Sequence, residues 1–81
     1  YRVKALTEID DFNEALGTEL SDEEFSTIGG LVVNNFGHLP KRGDHIIVEN
    51  LIITVIRADS RRLHSILVEI LRDTSTIIEP I

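Results

Sequence analysis

Between Thr27 and Gly43 the chain reads TIGGLVVNNFGHLPKRG, and this stretch constrains the fold more than any other. It holds four of the five glycines (Gly29, Gly30, Gly37 and Gly43) together with Pro40. Glycine admits backbone conformations closed to other residues, and proline fixes φ and removes a donor, so the stretch dictates where elements stop and turn. Before it lies an acidic third patterned for helix. After it comes a run rich in Ile, Val and Leu.

In the acidic third, Ile9, Phe12 and Leu16 recur at helical spacing, with Asp10, Asp11 and Glu14 largely off that face. Thr7 is the expected N-cap, with Asp10 three residues on as a variant of the capping box. Gly17 is placed to end the helix in a left-handed conformation. Ser21-Asp22-Glu23-Glu24 repeats the capping pattern and predicts one helical turn inside the connector Thr18 to Ser26, with Phe25 anchoring it. A second helix is predicted from Thr27 to Phe36, its apolar face made by Ile28, Leu31, Val32 and Phe36, with Gly37 as its stop. Gly29 and Gly30 each cost about 1 kcal/mol relative to alanine in a helix interior. A packed backbone close by, expected at Gly30, would offset that cost. A phosphate cradle at the helix N-terminus is the functional alternative, but neither GxGxxG nor GxxxxGK[ST] is present.

Strand patterns flank these helices. Val3 and Ala5 alternate with Arg2 and Lys4, predicting a short strand over Tyr1 to Leu6. After the loop His38 to Asp44, shaped by Pro40 and Gly43, three strands are expected as an antiparallel meander. These are His45 to Glu49, Leu51 to Ala58 and Arg61 to Leu71, turning at Glu49-Asn50 and Asp59-Ser60. The second is nearly all apolar, which predicts a central strand covered on both faces. The order β-α-α-β-β-β implies an α+β fold with two helices packed on one face of an antiparallel sheet. Residues 1–72 make the domain. Residues 73–81 read as a tail whose Ile77, Ile78 and Ile81 cap the core, pair with a neighbouring chain or stay disordered.

Composition narrows the function. The formal net charge is −6, no Lys or Arg occurs from Ala5 to Pro40, and eight of the fourteen acids lie between Glu8 and Glu24. Such a surface repels phosphates, arguing against nucleic acid and favouring cations or basic proteins, or else it is simply a solvated face. Eighty-one residues suit one domain with a modest core. The absence of cysteine rules out disulfides and thiolate metal sites. No apolar run approaches the ~20 residues that span a bilayer. A chain without Met that starts at Tyr1 is expected to be a fragment, an excised domain or a processed product.

Catalytic signals are lacking. His38, His45 and His64 show no HExxH spacing, and no serine stands in a GxSxG context. A hard divalent cation takes oxygen donors, which Asp10, Asp11, Glu14, Asp22, Glu23 and Glu24 could supply, with Asp10, Asp11 and Glu14 as the candidate ligands. The EF-hand spacing is absent, and acids on a helix face tend to diverge.

The segments T-I-G-G-L-V, F-G-H-L-P, a glycine before a strand and A-D-S-R-R at a hairpin follow an upstream A-L-T-E-I-D-D-F-N-E-A-L-G. In this order and spacing the chain resembles the CorC/HlyC transporter-associated domain, over roughly Val3 to Glu69. The resemblance implies a non-enzymatic accessory domain of a protein of magnesium and cobalt efflux, following a pair of CBS domains. Its setting would be cytoplasmic, with an ion transporter or membrane partner, peripheral to the inner membrane. A homodimer is left open. It also implies a fold similar to a subdomain of the PCMH-type FAD-binding proteins, an analogy from which FAD binding does not follow. No cofactor is expected in this domain; magnesium or cobalt binding by the domain itself stays open. Thr27, Gly29, Gly30, Gly37, Pro40 and Gly43 are carried over as motif positions with a structural role.

Overall fold

Residues 1–71 are described here in a computed structural model. The elements are β1 (Arg2–Lys4), α1 (Ile9–Leu16), α2 (Ile28–Phe36), β2 (His45–Val48), β3 (Leu51–Ala58) and β4 (Leu63–Ile70). The expected α+β order therefore holds. The tail 73–81 lies outside the described residues.

The four strands form one antiparallel sheet in the order β1-β4-β3-β2. Short connections make β2, β3 and β4 a meander. The N-terminal strand pairs with the last one, Val3 opposite Ile66, and Tyr1 accepts from the Val68 N–H at 2.7 Å. Both helices pack on one face. Ile9 and Phe12 of α1, Ile28 and Val32 of α2, and Leu51, Ile53, Val55, Ile66 and Val68 of the sheet form a core closed to solvent. Apolar burial of this kind is the main driving term for so small a domain.

Three expectations need correction. Thr7 does not cap α1: Glu8 holds the N-cap position without a side-chain cap. The Thr7 carbonyl instead accepts from the Ile28 N–H at 2.9 Å, so tertiary pairing has taken over the capping segment. Ser21 to Glu24 forms no helical turn, the chain merely bending at Glu23 and Glu24; the Ser21 hydroxyl accepts from the Glu23 N–H at 3.2 Å, a tighter local turn that competes with helix. Finally, β3 is central, but among the described residues the helices cover one side only. Leu51, Ile53 and Val55 are buried, whereas Ile52, Thr54 and Ile56 are half-buried on the side away from the helices.

Candidate functional site

The glycine motif lies where the two helices begin. Residues Ala5 to Ile9 and Ser26 to Gly29 run antiparallel, bridged at Glu8 and Thr27. The Ile9 N–H donates to the Ser26 carbonyl at 3.0 Å, and the Gly29 N–H donates to the Ala5 carbonyl at 2.9 Å. Thr27 is the N-cap of α2, its hydroxyl accepting from the Gly30 N–H at 3.2 Å. The backbone donors at the start of α2 are thus spent inside the protein. An anion cradle would need those same N–H groups, so Gly29-Gly30 is built as a joint.

The close approach falls at Gly29, not Gly30. A Cβ on Gly29 would lie 2.7 Å from the Ala5 Cβ and 2.8 Å from the Ala5 carbonyl oxygen, whereas one on Gly30 would meet nothing nearer than 3.5 Å. The sequence marks both glycines alike, and only the path of β1 into α1 distinguishes them. The other motif positions punctuate the chain. Gly37 closes α2 at φ 80°, donating to the Val33 carbonyl at 3.0 Å. Gly43 turns at φ 96° into β2 with its N–H on the Val55 carbonyl at 2.8 Å. Pro40 is fully buried.

The acidic candidates do not converge. Asp10, Asp11 and Glu14 are all exposed on α1, and among the described residues no group of three or more His, Cys, Asp or Glu side chains is placed to hold a metal ion. Asp10 faces Asp22 of the connector. The charge of Asp22, a hydrogen bond shared with it, and lesser contributions from Glu8 and Asp11 push the Asp10 carboxyl above its ordinary value. Asp11 lies instead along a cleft of about 360 Å³ between β1 and α1. Asp22 was legible as one of the acids able to supply an oxygen ligand, but its meeting with Asp10 was not, because the connector that brings it there has no periodicity of its own. That connector is held by Asn13, a residue that sequence reasoning missed. Its Oδ1 accepts from the Thr18 hydroxyl at 2.8 Å and the Leu20 N–H at 2.9 Å, while Nδ2 donates to the Leu20 carbonyl. The one available signal was a poor helix former inside a helix.

On the β3–β4 hairpin, His64 Nε2 lies 2.8 Å from Asp59 Oδ2. Asp59 Oδ1 accepts from the N–H groups of Arg61 and Arg62 at 2.7 and 2.8 Å. The hydrogen bond from His64, followed by those two amides, holds the Asp59 carboxyl well below its ordinary value. The pair has the look of an oriented acid–base couple, yet among the described residues no serine or threonine hydroxyl hydrogen-bonds the imidazole. It organises a turn. Beside it, Arg61 and Arg62 border a groove of about 460 Å³ whose walls include Leu6, Phe25, Gly29, Val33 and Leu39. His38 and His45 are exposed.

Residues 1–72 match the family model of the CorC/HlyC type described as a transporter associated domain. The chain belongs to that family. Among relatives of this CorC/HlyC domain, the magnesium and cobalt efflux protein CorC of Escherichia coli (strain K12) is 51% identical over 74 residues, covering 91% of this chain and 25% of that protein. The chain thus spans about a quarter of that relative's length. A crystal structure described as a putative Mg2+ and Co2+ transporter (CorC) associated region from Neisseria meningitidis MC58 superposes with a TM-score of 0.82 at 50% identity, covering 86% of each chain. The transporter associated domain of a CBS domain protein from Porphyromonas gingivalis, 22% identical, shares the fold with a TM-score of 0.75, covering 88% of this chain and 87% of that one. No helix among the described residues is long and apolar enough to cross a membrane.

Proposed function

We propose that this CorC/HlyC domain is a non-enzymatic regulatory module of a magnesium and cobalt efflux protein, held in the cytoplasm beside a pair of CBS domains. The observation that carries this reading is the 51% identity to an efflux protein over 91% of the chain. The geometry agrees with it, because the motif glycines and the Asp59–His64 pair are engaged in building the fold. Modulation would work by population shift: the transporter has at least two states, and contacts of this domain favour one of them. The test is to graft the domain in place of its counterpart in the Escherichia coli efflux protein and measure cobalt resistance and magnesium flux. The graft should restore the response lost on deleting the native domain, and the isolated domain should bind the CBS pair in calorimetry. A deletion without effect, together with no binding to the CBS pair, would overturn the reading.

The contact between Asp10 and Asp22 favours a second reading, direct divalent-cation binding by the acidic face, since a cation would relieve two facing carboxylates. Titration of magnesium and cobalt into the isolated domain decides it. Saturable micromolar binding lost in the triple variant Asp10→Asn, Asp11→Asn, Glu14→Gln would place sensing in this domain; no heat from a folded sample would end the idea.

A further inference from the structure

Gly30 is the motif position that the fold itself does not require. Its φ lies outside the left-handed region, its N–H is capped by the Thr27 hydroxyl, and a Cβ on it would meet nothing nearer than 3.5 Å. Yet a glycine within a helix costs up to about 1 kcal/mol relative to alanine. The added Cβ would stand over Phe25 and Thr27. Those two residues and Gly30 together line the groove of about 460 Å³ described above. Glycine lets a second backbone approach closely, and the side of Gly30 left clear by its own chain is this groove.

The same groove carries charge. Arg61 and Arg62 line it and are exposed. Leu6, Arg62 and Leu63 also wall an adjoining cleft of about 210 Å³, to which Lys4 and Arg57 contribute. Four of the eight Lys and Arg side chains therefore meet here, in a chain of formal net charge −6. Among the described residues no Asp or Glu lines either hollow, and the ion pair of His64 with Asp59 engages none of the four cations. Leu6, shared by the two hollows, is 78% exposed. Asp59 holds the amides of Arg61 and Arg62, so the rim is ordered before anything binds. We propose that this groove docks an acidic, apolar-faced segment of a partner protein. The partner's backbone passes over Gly30, its apolar side chains pack on Leu6, Phe25 and Val33, and its carboxylates meet Arg61 and Arg62. Charge complementarity sets the sign of the partner, and the apolar walls supply the area to be buried. Such docking does not rest on the regulatory reading, because peptide binding is measured without a transporter.

The test presents residues 1–81 to a displayed library of random short peptides. The enriched sequences should be acidic with interspersed apolar residues. Amide resonances that shift on adding the tightest synthetic peptide should centre on Leu6, Gly30 and Arg62. Leu6→Ser and the double variant Arg61→Glu, Arg62→Glu alter exposed side chains and should each weaken that peptide by about tenfold or more. The double variant should also remove the salt dependence of binding. Gly30→Leu should abolish binding without lowering the melting temperature, which separates a blocked groove from an unfolded domain. No enriched peptide, enriched peptides without acids, shifts outside the groove, or unchanged affinity in Gly30→Leu would overturn the proposal. Binding to phosphatidylglycerol vesicles through the same residues, with no peptide enriched, would assign the face to a membrane and overturn it too. A doubling of the sedimenting mass that Leu6→Ser abolishes would assign it to a second copy, with the same consequence.

Discussion

At the scale of single residues, two adjacent glycines in one motif have different reasons to exist. Gly29→Ala forces a Cβ into the Ala5 backbone, an overpacking expected to cost about 1–3 kcal/mol. Gly30→Ala meets only ordinary contacts and restricts the unfolded chain, so it should be neutral or stabilising by up to about 1 kcal/mol. Urea denaturation of the two variants separates them, and equal losses would refute the joint described at Ala5. Asp10 gives a prediction of opposite sign to the usual carboxylate. Its folded pKa is raised, so its ionised form opposes folding. Asp10→Asn should raise the melting temperature at neutral pH, and the gain should vanish as pH falls below the ordinary carboxylate value, where both proteins are neutral at this site. A pH-independent difference would contradict the Asp22 contact. Glu49 is the residue the sequence hides best. It turns at φ 55°, where turn chemistry favours the neighbouring Asn50.

At the scale of elements, the helices were legible because apolar spacing and glycine stops act locally. Ile9, Phe12 and Leu16 on one side and Gly17 at φ 71° on the end needed no knowledge of the rest of the chain. The connector was not legible, because Asn13 ties it down through side-chain contacts that no periodicity records. The β3–β4 hairpin shows how a turn is stabilised by one carboxylate. The depressed pKa of Asp59 means that its contribution is present above the ordinary carboxylate value and is lost as pH falls below it towards the folded value. Asp59→Ala should therefore be destabilised relative to the parent at pH about 7, and the gap should narrow on descending below pH about 3. Paired urea titrations at the two pH values check this, and a gap that widens in acid would exclude the role assigned to the carboxylate.

At the scale of the whole molecule, stability depends on one sheet closed by its two ends. Ile66 is fully buried and sits opposite both Val3 of β1 and Val55 of β3. Ile66→Ala should cost about 2–5 kcal/mol, a large share of what so small a core supplies. The loss should appear as a single cooperative transition. Early loss of the β1 amides alone in hydrogen exchange would show that the N-terminal strand is an independent unit.

The order of elements, the two helix stops, the meander and the membership of the CorC/HlyC family were all present in the sequence, because each rests on spacing within a few residues or on motifs read in order. The tertiary structure decided what depends on distant segments meeting. It placed β1 beside β4, made Gly29 rather than Gly30 the tight contact, and replaced the Thr7 cap with a backbone bond to Ile28. It also brought Asp10 against Asp22 and, among the described residues, left one face of β3 without a helix. Local patterns can specify which side of a strand or helix is apolar, but the neighbour that meets each side is chosen only when the whole chain closes.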